Sequence, residues 1–187
     1  MEKKTEKTKV YNVIIMDRSG SMWDIRKPAI MGFNEVLGSA TPLYDAMGRT
    51  LTRLERELKG DENHSVLVTV ITDGYENDSC EYDLAAVKAL VEHLKDEGWS
   101  FAYMGTDHDV HGVSISLSIT NVVKFEKTET ETVETFKKER RARERWAEEE
   151  NLYSMNCPGA CLQDRIRAQK ERSSRYYKED PNRPEKK

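Results

Sequence analysis

Residues 10–21 read Val10-Tyr11-Asn12-Val13-Ile14-Ile15-Met16-Asp17-Arg18-Ser19-Gly20-Ser21. The first seven are almost continuously apolar, which predicts a strand buried on both faces, as in a parallel sheet. The next five are mostly short and polar, which predicts a loop directly after the strand. Because ligands of open α/β sheets bind where parallel strands end, this strand and loop together predict a binding site.

Apolar runs at 65–72, 99–104 and 121–125 predict three more strands. Apolar residues spaced by three and four predict helices over 42–59 and 81–97, and residues 28–37 also suit a helix. The segment 107–119 is ambiguous, because its Val, Ile and Ser content weakens a helix prediction. This alternation predicts an α/β fold: a three-layer, Rossmann-like parallel sheet of about four strands, flanked by helices.

Composition divides the 187 residues into three parts. Residues 1–9 are a charged N-terminal segment, residues 10–126 contain nearly all the apolar runs, and residues 127–187 are dense in Glu, Lys and Arg. The last part is predicted to be a charged, largely helical or disordered tail, with a helix over 131–150. A solvated helix with a frayed end is the first interpretation of this tail, and a partner-docking helix is the second.

Charge and hydropathy exclude several classes of function. The net charge of -4 argues against general nucleic-acid binding, which needs a basic field. No apolar run approaches the roughly 20 residues that cross a bilayer. Three cysteines, an odd number, suit a reducing compartment, and a cytoplasmic protein is expected. Cys157 and Cys161 lack a second Cys or His pair nearby, so they predict a free-thiol turn and not a metal site.

The chemistry of the predicted site follows from its residue types. Asp17 follows the first strand and Asp73 follows the second, so both carboxylates should lie at one edge of a parallel sheet. Ser19 and Ser21 add hydroxyls, and such oxygens are hard ligands for Mg²⁺, Mn²⁺ or Ca²⁺. Two carboxylates only neutralise a dication. The ion would therefore keep an open position that an Asp or Glu of a partner could fill.

Two later motifs strengthen this interpretation: Thr41-Pro42-Leu43-Tyr44-Asp45-Ala46 and Ile71-Thr72-Asp73-Gly74. With Asp17-x-Ser19-x-Ser21, their order resembles the von Willebrand factor A-type domain over roughly residues 10–125. The resemblance implies a metal-ion-dependent adhesion site made of Asp17, Ser19, Ser21, Thr41 and Asp73. It also implies a non-enzymatic module that binds Mg²⁺, or Mn²⁺ or Ca²⁺, and recognises an acidic group on a protein partner.

The chain departs from that family in one place. The family usually has two further strands between the first helix and the Thr motif, whereas only residues 38–40 separate Leu37 from Thr41. Their loss would make residues 10–16 an edge strand, which invites pairing with a second copy. A ten-residue helix carries the chain about 15 Å away, and four steps recover at most about 14 Å. If Thr41 did not return, the second strand would tend to enter antiparallel.

Three explanations of the short connection stay open. Residues 22–40 are largely irregular and loop back, a second protomer supplies Thr41 in a swapped dimer, or the chain is a deletion whose site is incomplete. Asp17, Ser19 and Ser21 form a local unit under all three explanations.

Two other classes of function are alternatives to a binding module. One is metal-assisted phosphoryl transfer or hydrolysis with Asp17 as nucleophile or ligand, but position 19 is Ser where a second carboxylate would be expected. The other is a metal-free scaffold with a degenerate site. Phosphate-loop, dinucleotide and nucleophile-elbow motifs are absent from the sequence. The four histidines, His64, His93, His108 and His111, are scattered and predicted to lie on the surface.

Overall fold

The computed structural model of the chain describes residues 8–16, 42–72, 79–106 and 110–178. Within these ranges it contains four strands and five helices. The strands are β1 (Lys9–Met16), β2 (His64–Thr72), β3 (Ser100–Gly105) and β4 (Asn121–Lys124). The helices are α1 (Leu43–Leu58), α2 (Leu84–Asp96), α3 (Val110–Ser116), α4 (Glu129–Asn156) and α5 (Leu162–Ser173).

The sheet is entirely parallel, with its strands in the order β1-β2-β3-β4. The predicted α/β, Rossmann-like fold is therefore confirmed. Met16 pairs with Ile71, and Thr72 pairs with Gly105. The sequence left open an antiparallel entry of the second strand, caused by the short 38–40 connection. That entry does not occur, because β2 runs parallel to β1.

Alternate residues of β2 face two different layers of helices. Val66, Val68 and Val70 belong to one core together with residues of α1, α2 and the α3 region. Met47 and Leu51 of α1 and Val87 and Val91 of α2 are completely buried there, as their spacing of three and four requires. These helices form the first outer layer.

The opposite face of the sheet is covered by the C-terminal helices. Trp146 of α4 is only 2% exposed and packs with Leu67 and Ala102 of the sheet and with Tyr176 after α5. Nearer the other end of α4, Phe136 meets Phe125 edge-on, with ring centroids 6.1 Å apart. The expectation of a solvated helix is therefore wrong for this face of α4. The helix is also longer than the predicted 131–150, and α5 was not predicted.

Polar side chains reinforce this second layer. The Glu139 carboxylate accepts hydrogen bonds from the hydroxyls of Thr69 (3.1 Å) and Tyr176 (3.0 Å). Burial, and then the neighbouring Glu139 charge, raise the pKa of Tyr176 far above its usual range. Glu150 accepts from Ser65 on β2. Because these carboxylates have partners on the sheet, a charged helix can lie against it without leaving them unpaired.

Strand β1 differs from its prediction. It was expected to be buried on both faces, yet Ile15, at 5% exposed, is the one fully buried residue among 9–16. Among the described residues β1 has β2 on one side and no strand on the other. This agrees with the prediction of an edge strand and explains its partial exposure.

None of the helices within the described ranges combines the length and apolar composition needed to cross a bilayer.

Candidate metal sites

The five predicted metal ligands, Asp17, Ser19, Ser21, Thr41 and Asp73, lie outside the described residues, as does the helix predicted over 28–37. The structure does describe the residues that flank them. These are Met16 at the end of β1, Pro42 before α1, Thr72 at the end of β2, and Ser79, where the described chain resumes.

The two strands that lead into the predicted ligands end at one edge of the sheet. β1 and β2 are adjacent and parallel, and Met16 lies opposite Ile71. The residue after Met16 in sequence is Asp17, and the residue after Thr72 is Asp73. Both strands therefore end at the carboxyl edge of the sheet, where ligands of such folds bind.

Helix α1 begins at the same edge. Its last residue, Leu58, is followed closely by His64 at the amino end of β2. Sixteen helical residues span about 24 Å, so α1 runs the length of the strand and starts at the opposite, carboxyl edge. At the start of α1, Leu43 is buried in the same cluster as Ile15, and Tyr44 is partly buried against that cluster.

Asp45 joins the start of α1 to the segment that follows β2. Its carboxylate accepts the backbone N–H groups of Cys80 (3.0 Å), Glu81 (2.8 Å) and Tyr82 (2.8 Å). Its own N–H donates to the Ser79 hydroxyl at 3.2 Å. The Cys80 N–H first, and then those of Tyr82 and Glu81, lower the pKa of Asp45, which is 3% exposed. The ionised Asp45 carboxylate therefore binds residues 80–82 to the start of α1.

Two further contacts involve the next turn of α1. A Cβ on Gly48 would lie 2.3 Å from the Tyr82 ring, so the ring packs where only glycine leaves room. Arg49 donates from Nε and Nη2 to the two carboxylate oxygens of Glu81, at 2.7 and 2.5 Å. We call Asp45, Gly48 and Arg49, with residues 79–82, the α1 clamp. A glycine inside a strongly amphipathic helix was the sequence signal that could have revealed it.

A second cluster lies on the surface between α1 and α2. Glu55, His93 and Glu97 place one ligand atom each within 4.8 Å of one another, the one such group found among the described residues. His93 Nε2 lies 2.8 Å from Glu55 Oε1 and 3.9 Å from Glu97 Oε1. Three donors at this spacing can hold a divalent ion, and imidazole with carboxylate suits zinc or manganese. The same distances also describe a histidine that is hydrogen-bonded to Glu55 and lies near the Glu97 carboxylate.

The sequence did not predict this cluster. His93 and Glu97 are four residues apart on α2, which places them on one face of the helix. Glu55 comes from α1, 38 residues before His93, and only the packing of the two helices brings it within reach. The prediction that His93 lies on the surface is confirmed, since its side chain is 51% exposed.

We expect His93→Ala to lower the free energy of unfolding by less than about 1 kcal/mol in EDTA, because exposed ion pairs contribute little. Urea denaturation checks this, with Lys88→Ala, on the same helix, as the control variant. A loss well above that size in EDTA would contradict a simple surface ion pair. A larger difference between the two proteins that appears only after zinc is added would indicate a bound ion.

The remaining histidines and the cysteines are accounted for where they are described. His64 Nδ1 contacts the Asp61 carbonyl, His111 is exposed, and His108 lies outside the described residues. Cys157 and Cys161 are free and exposed, as predicted, and the Cys161 thiol donates to Asp164 at 3.2 Å.

No protein-family model matches the sequence, and no curated protein matches it. The class of the protein accordingly rests on its own geometry, a three-layer α/β fold with a four-stranded parallel sheet.

Proposed function

We propose that the chain is a von Willebrand factor A-type domain that binds a protein partner through a divalent cation. Mg²⁺, or Mn²⁺ or Ca²⁺, would be held by Asp17, Ser19 and Ser21, with Thr41 and Asp73 completing the site. The observation that supports this proposal is the arrangement of the flanking residues. β1 and β2 end, and α1 begins, at one edge of the sheet, and positions 17, 73 and 41 are their neighbours in sequence.

The charge of the proposed site favours binding over catalysis. Asp17 and Asp73 together neutralise one dication, so the ion still attracts an anion. An Asp or Glu side chain of the partner can fill its open position. Phosphoryl transfer would need a second carboxylate beside Asp17, and Ser19 stands at that position. The domain would act in the cytoplasm, where its cysteines stay reduced.

We expect Mg²⁺ to bind the wild-type protein and Asp17→Ala to abolish that binding, because the variant removes one of two carboxylates from the site. Isothermal titration with Mg²⁺ and Mn²⁺ checks this. Asp61→Asn is the matched control, since it also removes one carboxylate, but from the turn before β2, at the amino edge of the sheet. Unchanged Mg²⁺ affinity in Asp17→Ala would refute the assigned site.

The same titration separates the binding module from a metal-free scaffold. Failure of the wild type to bind either ion at millimolar concentration would favour the scaffold. A phosphatase screen with Mg²⁺ separates the module from an enzyme, because turnover would exclude a purely binding role.

The partner's chemistry can be tested with paired peptides. In an immobilised peptide set, every peptide with Asp or Glu is paired with a counterpart that has Asn or Gln instead. We expect only the acidic member of each pair to retain the protein. EDTA should release it. Equal retention on both members of a pair would contradict recognition through the ion.

A homodimer through β1 is part of the same proposal. Among the described residues, β1 pairs with β2 on one side and with no strand on its other side. Such an edge favours pairing with another copy. Sedimentation analysis across a range of concentrations would show whether two copies associate.

A further inference from the structure

Glu55, His93 and Glu97 lie on two helices that share one buried core. The core residues that join these helices are Leu51, Leu58, Val91 and Leu94. Glu55 comes four residues after Leu51 and three before Leu58, so it lies on the face of α1 that packs into this core. Because the packing fixes the two helices relative to each other, it also fixes the backbone positions from which the three side chains extend.

The charges of this cluster are not balanced in the usual way for these helices. Three other carboxylates of α1 and α2 each lie within 4.0 Å of a Lys or Arg nitrogen; they belong to Glu57, Glu92 and Asp96. Within the described ranges, Glu55 and Glu97 have no Lys or Arg at that distance, and both lie beside His93 Nε2. A neutral imidazole leaves two negative charges close together, and a dication among the three side chains would neutralise both.

The distances within the cluster suit a small transition-metal ion. Ligand bonds of about 2.0–2.1 Å in a tetrahedral arrangement place neighbouring ligand atoms about 3.3 Å apart. His93 Nε2 lies 2.8 Å from Glu55 Oε1 and 3.9 Å from Glu97 Oε1, on either side of that spacing. The side chains are 33–55% exposed, so small rotations can equalise the distances and leave a fourth position to water.

We propose that Glu55, His93 and Glu97 form a zinc site that links α1 to α2. An imidazole nitrogen with two carboxylates suits zinc, whereas Mg²⁺ prefers oxygen ligands and keeps its waters. The bound ion stabilises the outer layer of helices that contains α1 and α2. This site does not depend on the proposed function, because none of its three residues belongs to the proposed Mg²⁺ site.

Isothermal titration with zinc chloride tests the site in a protein whose three free, exposed cysteines are replaced, because thiolates also bind zinc. The background variant is Cys80→Ser with Cys157→Ser and Cys161→Ser. Millimolar Mg²⁺ in the buffer occupies the proposed Mg²⁺ site. We expect this protein to bind one zinc ion.

Substitution of the ligands should weaken that binding. In the same background, His93→Ala and Glu55→Gln should each lower the zinc affinity at least about tenfold, a loss that follows even from changes beside a metal ligand. Glu92→Gln is the matched control, since Glu92 is exposed on α2 directly before His93 and pairs with Lys88 at 4.0 Å. It should leave the affinity unchanged.

Zinc should also stabilise the fold, since it binds the folded protein. At about 100 times the dissociation constant, it should raise the Tm by about 5–10 °C. The His93→Ala variant should show no such rise. X-ray absorption at the zinc edge should show nitrogen and oxygen neighbours at about 2.0–2.1 Å, with an imidazole contribution that His93→Ala removes.

Three results would overturn the proposal: no zinc binding by the background protein, equal affinity in the His93→Ala and background proteins, or a zinc spectrum without imidazole. None of them bears on Mg²⁺ binding, which is measured separately with Asp17→Ala. Loss of Mg²⁺ binding with zinc binding intact would likewise refute the proposed function and leave this site standing.

Discussion

Replacing Trp146 with alanine is expected to lower the free energy of unfolding by about 3–5 kcal/mol, the usual cost of removing a buried tryptophan. Trp146 lies in the C-terminal region that its composition marks as a charged tail, yet it is almost fully buried against Leu67 and Ala102. Its removal would leave a cavity between α4 and the sheet. Urea denaturation followed by circular dichroism measures the loss.

The control for Trp146→Ala is Arg140→Ala on the same helix. The Arg140 side chain is 64% exposed and pairs only loosely with Glu144, at 3.9 Å. We expect a change within about 0.5 kcal/mol, as for most surface substitutions. A solvated α4 would give equally small changes for both variants, and that result would contradict the packing of α4 on the sheet.

Glu150→Ala is expected to cost about 3–5 kcal/mol, because it leaves the charge of Arg172 buried without its partner. The Arg172 guanidinium donates from Nε to Glu150 at 2.7 Å and also lies over the Tyr153 ring at 4.8 Å. Arg172 is 8% exposed, so water cannot replace the lost carboxylate. The Ser65 hydroxyl would lose its acceptor as well.

A double variant separates the loss of the pair from the loss of packing. The double variant Glu150→Leu with Arg172→Met removes both charges and fills their space with apolar side chains. We expect its free energy of unfolding to be no more than about 1 kcal/mol below that of the wild type. Asp164→Ala, which breaks the exposed pair to Arg167, should cost less than about 1 kcal/mol. Equal losses in the single and double variants would show that the ion pair is not the cause.

Trp146 and Glu150 both lie on α4, in the part of the chain whose packing the sequence patterns did not predict. Strands β2 to β4 and helices α1 and α2 were predicted to within a few residues, because continuous apolar runs and spacings of three and four are local properties. α4 and α5 show neither pattern clearly. Their buried faces contain Glu139, Glu150, Gln169 and Arg172, which a composition-based interpretation assigns to solvent.

Contacts between distant residues account for the remaining differences. Asp45 accepts hydrogen bonds from residues 80–82, which lie 35 to 37 positions later in the sequence. No periodicity in the sequence predicts a contact between a helix and a segment so far along the chain. The partial exposure of β1 likewise depends on which elements pack beside it. A run of apolar residues does not distinguish a strand at the centre of a sheet from one at its edge.

The sequence by itself determined the α/β class and the position of Asp17 and Asp73 directly after two apolar runs, because both are local properties of the chain. It also supplied the metal site as a hypothesis, through the resemblance of its three motifs to one family. Only the tertiary structure decided that β2 runs parallel to β1, and that a charged C-terminal region covers the second face of the sheet. Only it showed that Asp45 holds the segment after β2. The direction of β2 depends on where the connecting segments return to the sheet, which is not a local property of the sequence. The other two results share one physical reason: a charged side chain can be buried only when a partner satisfies it, and those partners are brought together by folding.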